Sequence, residues 1–198
     1  MRKELNKAFD LVKQFHDREQ LFGLPETPYP DLEEIDKSFK PFFELITMSF
    51  DVEQGLRDWT TDRLMGQDPN KIQSEVQRWN QMCFQLYKKL NEDYPETAEV
   101  CTELRHKIEA FSKNLPLIKC LTSEAINLDE DWKEIIEVIG VKPEEFPREE
   151  IKVSQFEDLG LYKYIEEIEE ITMKAEKKFS LGQKLKQMKE EMKGFELV

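Results

Sequence analysis

Glycine is scarce in this chain, and its seven copies stand singly. A phosphate cradle needs a glycine-rich turn whose amides approach the nucleotide, and no Walker A pattern occurs, so the chain by itself is not expected to bind ATP. Histidine is limited to His16 and His106, too few for most zinc sites and without a Ser/His/Asp set around either. The three cysteines, Cys83, Cys101 and Cys120, form no C-x-x-C pair. Their odd number suits thiols in a reducing compartment, each read as a small core residue. Long apolar runs are missing: Met1-Arg2-Lys3-Glu4 turns at once into a mixed pattern. That excludes a signal peptide or a spanning segment and reads as cytosolic or cytosol-facing. Excess positive charge is missing too, since 29 Lys and Arg face 42 Asp and Glu for a net charge of −13. Nucleic acid and anionic membrane are therefore disfavoured partners. No long strand pattern, fixed-period repeat or low-complexity tract occurs.

What is present is helical patterning. The 198 residues include thirteen Phe, five Tyr and three Trp, large apolar faces that a disordered acidic chain lacks. Leu5, Phe9, Val12 and Phe15 line one side of a first helix that ends before Gly23, and Thr27-Pro28-Tyr29-Pro30 makes a stiff connector. A second helix runs from about Asp31 to Leu64, with Pro41 expected to kink or break it and Gly55 to weaken it. Asp68 and Pro69 suit the N-cap and first position of a third, whose stripe Ile72, Val76, Trp79, Cys83, Leu86, Leu90 is the strongest in the chain. A fourth starts at Pro95 and continues to Leu115-Pro116, with a further turn or two over Leu117 to Leu121. A short helix carries Trp132 to Ile139 up to Gly140, and residues 142–148 form a proline loop. Ser154-Gln155-Phe156-Glu157 matches a capping box near a brief turn. The last helix extends from about Leu161 towards Met192, its stripe slipping phase between Phe179 and Gly182, as in a helix that changes packing partner or breaks locally.

Candidate chemistry is thin. Glu103 and His106 have the E-x-x-H spacing of a di-iron ligand pair, but no second copy exists on another helix. Asp129-Glu130-Asp131 opens like a calcium loop and fails at Glu134, where glycine is needed, and at Gly140, where glutamate is needed. Glu166-Glu167 and Glu169-Glu170 could pair as catalytic carboxylates; beside Ile168 and Lys174 they read instead as a solvated helix face. Trp59, Trp79 and Trp132 read as core and not as a ligand pocket. The residues thus nominate no catalytic, cofactor-binding or metal site, and the chain reads as all-α.

Specific words carry the reading further. Phe111-x-x-x-Leu115-Pro116-Leu117-Ile118-x-x-Leu121, then Trp132-x-x-Ile135 and Gly140, are followed by Phe156-x-x-Leu159-Gly160-Leu161-x-x-Tyr164-x-x-x-Ile168-x-x-Ile171-x-x-x-Ala175 and then Lys184-Leu185 and Met188. In this order they resemble the linker of dynein heavy chains, most closely from Ala110 to Phe195 and nearer to the ciliary branch. Asp129-Glu130-Asp131, where a basic pair is common, and Met192, where an aromatic is common, depart from the pattern. The resemblance implies an elongated array of antiparallel helical bundles with proline-marked breaks, divided into residues 1–121 and 122–198. It further implies a non-catalytic mechanical segment that carries ATP-driven change of the ATPase ring into movement along microtubules, in the cytoplasm, on the cytoskeleton and in the axoneme of cilia. ATP and Mg would belong to the full-length protein only. The ring of the same heavy chain and other dynein subunits would be its partners, and the fragment itself would be monomeric. The alternative is a spectrin-like scaffold that binds partner helices.

Overall fold

The computed structural model describes residues 2–195, with side chains through Met192; Met1 and residues 196–198, the end of the stretch 122–198, lie outside the described residues. Seven α-helices follow in order: α1 (Arg2–Leu21), α2 (Pro30–Thr61), α3 (Pro69–Leu90), α4 (Pro95–Ser112), α5 (Leu115–Leu121), α6 (Asp131–Ile139) and α7 (Ile165–Phe195). Two 3-10 turns, Val153–Gln155 and Leu161–Tyr164, precede α7. Among the described residues the only β pairing is a single bridge, Arg63 to Lys152, beside the bond from the Leu64 N–H to the Ile151 carbonyl at 2.7 Å.

The N-terminal helices form a hairpin. Arg2 at the start of α1 pairs with Asp36 of α2 at 2.7 Å and lies over the Phe43 ring, while at the other end Thr27 donates to Glu19. Only Leu5 of α1 is buried. The second helix runs unbroken through Pro41, so of the kink or break expected there the break does not occur. Proline removes one backbone donor, to the Lys37 carbonyl, but Leu45, Met48 and Val52 on the following turns are buried and hold the helix in place. The end of α2 falls at Thr61, so Leu64 sits in the bridge segment instead of the helix.

Below the hairpin, α2 packs on α3 and α4, and a short turn joins α3 to α4 as antiparallel neighbours. The Asp68 carboxylate accepts from the N–H groups of Asn70 (2.9 Å) and Lys71 (3.3 Å), the cap that the sequence announced. Every member of the α3 stripe is buried. Next, α5 bridges α3 to α7, and α6 lies against α7. Gly140 ends α6 with φ +76°, a left-handed cap that a side chain would strain. The turn before α7 begins two residues earlier than the capping box at Ser154 predicts. Gln155, not Glu157, reaches back, its Oε1 accepting from the Lys152 N–H at 2.9 Å.

One hydrophobic core runs from Leu45 to Ala175 across both halves. Fully burying a Leu, Ile or Phe side chain stabilises by roughly 1.5–3 kcal/mol, so Ile108, Leu117, Ile118, Ile135, Phe156 and Ile168, each 0% exposed, anchor the array. The surface is nevertheless large. The chain exposes 14350 Å², against about 9,800 Å² for a compact monomer of its mass. Helices are laid side by side and partly uncovered instead of wrapped round a sphere.

Candidate functional site

The sequence candidates separate in space. Glu103 and His106 are both exposed on α4, and His106 lines a shallow groove of about 300 Å³ between α3 and α4 with Cys83, Phe84, Tyr87, Cys101 and Arg105. Glu166, Glu167, Glu169 and Glu170 are exposed along α7, with Lys174 at 3.4 Å from Glu170. Among the described residues no group of three or more His, Cys, Asp or Glu is placed to hold a metal ion, and no helix is long and apolar enough to cross a membrane.

All three thiols are buried, as the sequence indicates. Burial pushes Cys83 up to about 11, with nearby Cys101 adding to the effect, and also raises Cys101 and Cys120. A thiol held protonated is a poor nucleophile, so none of the three is poised for covalent chemistry at neutral pH.

The tryptophans serve two separate places. Trp59 stacks on Trp79 at 5.0 Å between ring centres and meets Phe111 at 5.5 Å, filling the wedge between α2, α3 and α4. Gly55 makes that wedge possible, because a Cβ there would lie 2.5 Å from the Trp79 ring. Trp132 stacks instead on Phe146 of the proline loop, 5.2 Å apart and 6° from parallel.

Around Trp132 lies a polar arrangement that sequence reasoning missed. Arg148 reaches from the proline loop to the carbonyls of Ser123 (2.6 Å) and Ile126 (3.2 Å), its guanidinium 5.7 Å from the Trp132 ring. Burial holds its pKa below the usual arginine range. Asp131, dismissed as a failed calcium ligand, is 4% exposed and accepts from the Asn127 N–H at 3.0 Å. Lys178 of α7 stands 3.6 Å from Asp131 and 3.5 Å from Glu130. These contacts clamp the α5–α6 connection, the proline loop and α7 into one block. The one available signal was that Arg148 is the sole cation between Glu144-Glu145 and Glu149-Glu150.

The clamp marks where packing stops. Ile168, Ile171 and Ala175 of α7 are buried, whereas every described side chain from Glu176 to Met192 is exposed. The phase slip in the α7 stripe is thus not a local break. The helix continues, and its partner ends. Phe43, Ile46 and Phe50 leave a second uncovered apolar face on α2.

The chain is thus an all-helical array in which polar contacts clamp helices together. More particularly, the chain belongs to the family described as dynein heavy chain, N-terminal region 2, whose model matches residues 32–198. It is 26% identical over 191 residues to dynein axonemal heavy chain 1 of Mus musculus, covering 96% of this chain and 4% of that protein. Dynein axonemal heavy chain 5 of Rattus norvegicus is 28% identical over 170 residues, 86% of this chain and 5% of that protein. The dynein gamma chain, flagellar outer arm, of Chlamydomonas reinhardtii is 29% identical over 174 residues, 86% of this chain and 4% of that protein. The chain therefore spans only about one twenty-fifth of the length of such relatives.

Proposed function

We propose that this chain is a load-bearing, non-catalytic segment of a dynein linker, which passes ATP-driven changes of an ATPase ring on to movement along microtubules. Family membership supplies the setting, and one observation carries the mechanical reading: a single continuous core joins α2 to α7, so the helices between them move as a body. The proline loop of residues 142–148 is tied into that body by Arg148 and by the Trp132–Phe146 stack, Phe146 itself lying in the core. Residues 1–121 and 122–198 are read as its two stretches, which meet where α5 packs on α7 and α2 on the turn at Val153–Gln155. ATP and Mg belong to the ring of the same heavy chain, which is the segment's first partner; other dynein subunits are further ones. The axonemal and flagellar names of the relatives favour a place in cilia or flagella.

A flexible insertion tests this reading in the full-length heavy chain. A Cβ added at Gly182 would meet nothing within 4 Å, so an insertion there spares the core. About eight Gly and Ser residues turn a stiff helix into a slack tether. ATP turnover is expected to continue while microtubule gliding collapses. Gliding at the parental speed refutes the load-bearing role.

A further inference from the structure

The uncovered end of α7 is not uniformly polar. Leu181, Leu185, Met188 and Met192 recur at intervals of four, three and four, and are 62%, 59%, 59% and 69% exposed. At about 100° per residue this stripe is itself turned about 100° from the face carrying Ile168, Ile171 and Ala175. A continuous helix therefore cannot lay the stripe on the body that holds its first half. The narrow four-three spacing is the seam that fits one other helix, in contrast to the broad face that spreads on a lipid surface.

The charges beside the stripe define the occupant further. Lys177 and Lys184 rim one edge and Lys189 the other, where Lys178 is already paired with Glu130 and Asp131, and Glu191 is the only acid among them. Two copies joined stripe to stripe would set lysine against lysine. A helix with an apolar seam and acidic edges meets attraction along both. The stripe also lies at the end of a matched stretch that is 4% of the length of such relatives. A segment tethered close by acts at an effective concentration of about millimolar, far above that of a free partner.

We propose that Leu181, Leu185, Met188 and Met192 seat an acid-edged amphipathic helix carried by the same polypeptide beyond Val198. The proposal rests on the reading of this chain as part of a longer heavy chain. Photo-crosslinking in that full-length protein tests it, with benzoylphenylalanine at Leu185 or Met188 and, as a control, at Leu128, an exposed residue of the α5–α6 connection. Crosslinks from the two α7 positions are expected within the same polypeptide beyond residue 198, above the level given by Leu128. The Lys184→Glu, Lys189→Glu double variant is expected to lower their yield about threefold, since each reversal exchanges attraction for repulsion. Crosslinks to residues 1–176, to a second heavy chain distinguished by isotopic labelling, or to a separate subunit overturn the proposal. So does a yield no higher than the control, or one indifferent to charge reversal. A crosslink beyond residue 198 in a heavy chain whose gliding ignores the Gly182 insertion sinks the mechanical role and leaves the docking standing.

Discussion

Gly55→Ala sets helix propensity against packing. In an exposed helix, replacing glycine by alanine stabilises by about 1 kcal/mol, because the backbone loses less freedom on folding. In α2 the new methyl would lie 2.5 Å from one Trp79 ring carbon and 3.3 Å from a second. The indole has no easy retreat, since Trp79 is 3% exposed and stacked on Trp59, which itself meets Phe111. Overpacking of this kind costs about 1–3 kcal/mol, so packing should outweigh propensity and leave the variant about 1 kcal/mol less stable. For a chain of this size that lowers the melting temperature by about 2–4 °C. Urea unfolding followed by tryptophan fluorescence reads the midpoint and the stacked pair together. A second substitution, Trp79→Phe, removes the ring atoms nearest the methyl, so Gly55→Ala should be less harmful in that background than in the parent. A Gly55→Ala chain more stable than the parent would refute the reasoning.

Replacing Arg148 by Met removes two charged hydrogen bonds, leaving the Ser123 carbonyl only its bond from the Ile126 N–H, a loss of about 2–4 kcal/mol in urea unfolding; Arg148→Lys should recover little, because a single ammonium does not span both acceptors. The thiols should resist a disulfide reagent in the native protein and all react once it is unfolded. With Cys83 raised from 9.0 to about 11, the folded chain keeps a proton that the unfolded chain releases. Its contribution to stability is therefore complete below pH 9 and lost as pH rises towards 11, which thermal melts across that range would detect. Leu185→Gln and Met188→Gln should each change the stability of this chain by less than about 0.5 kcal/mol, since neither side chain has a packing partner in it; a larger loss would mean that the α7 end is covered from within.

Local signals were the legible ones. Asp68 with Pro69, Gly140 and the α3 stripe gave their elements directly, because a cap or a periodic face depends on residues a few positions apart. Proline at 41 was overread, since propensity weighs one missing donor and cannot weigh the buried turns of Leu45 and Met48 beside it. The capping box slid from Ser154 to the Lys152–Gln155 pair because several polar residues there can reach a free N–H. Arg148 escaped notice, and Asp131 was weighed only as a calcium ligand, for a different reason. The Ser123 carbonyl lies 25 residues from Arg148 in sequence, and carbonyls leave no mark in side-chain patterns. Gly55 was read as a weakness, and only the position of Trp79 shows that the missing side chain makes room for the aromatic wedge. The α7 stripe was visible throughout, but a stripe records that a partner is needed and not which part of the polypeptide provides it.

Rigidity under load is measured most directly by distance. In the full-length heavy chain, one fluorophore pair would join Phe50 on α2 to Met173 on α7, both exposed, and a second would join Met173 to the ATPase ring. Through the ATP cycle the first distance is expected to stay constant while the second changes. If the first changes and the second stays fixed, the helices bend instead of carrying force, and the mechanical account fails.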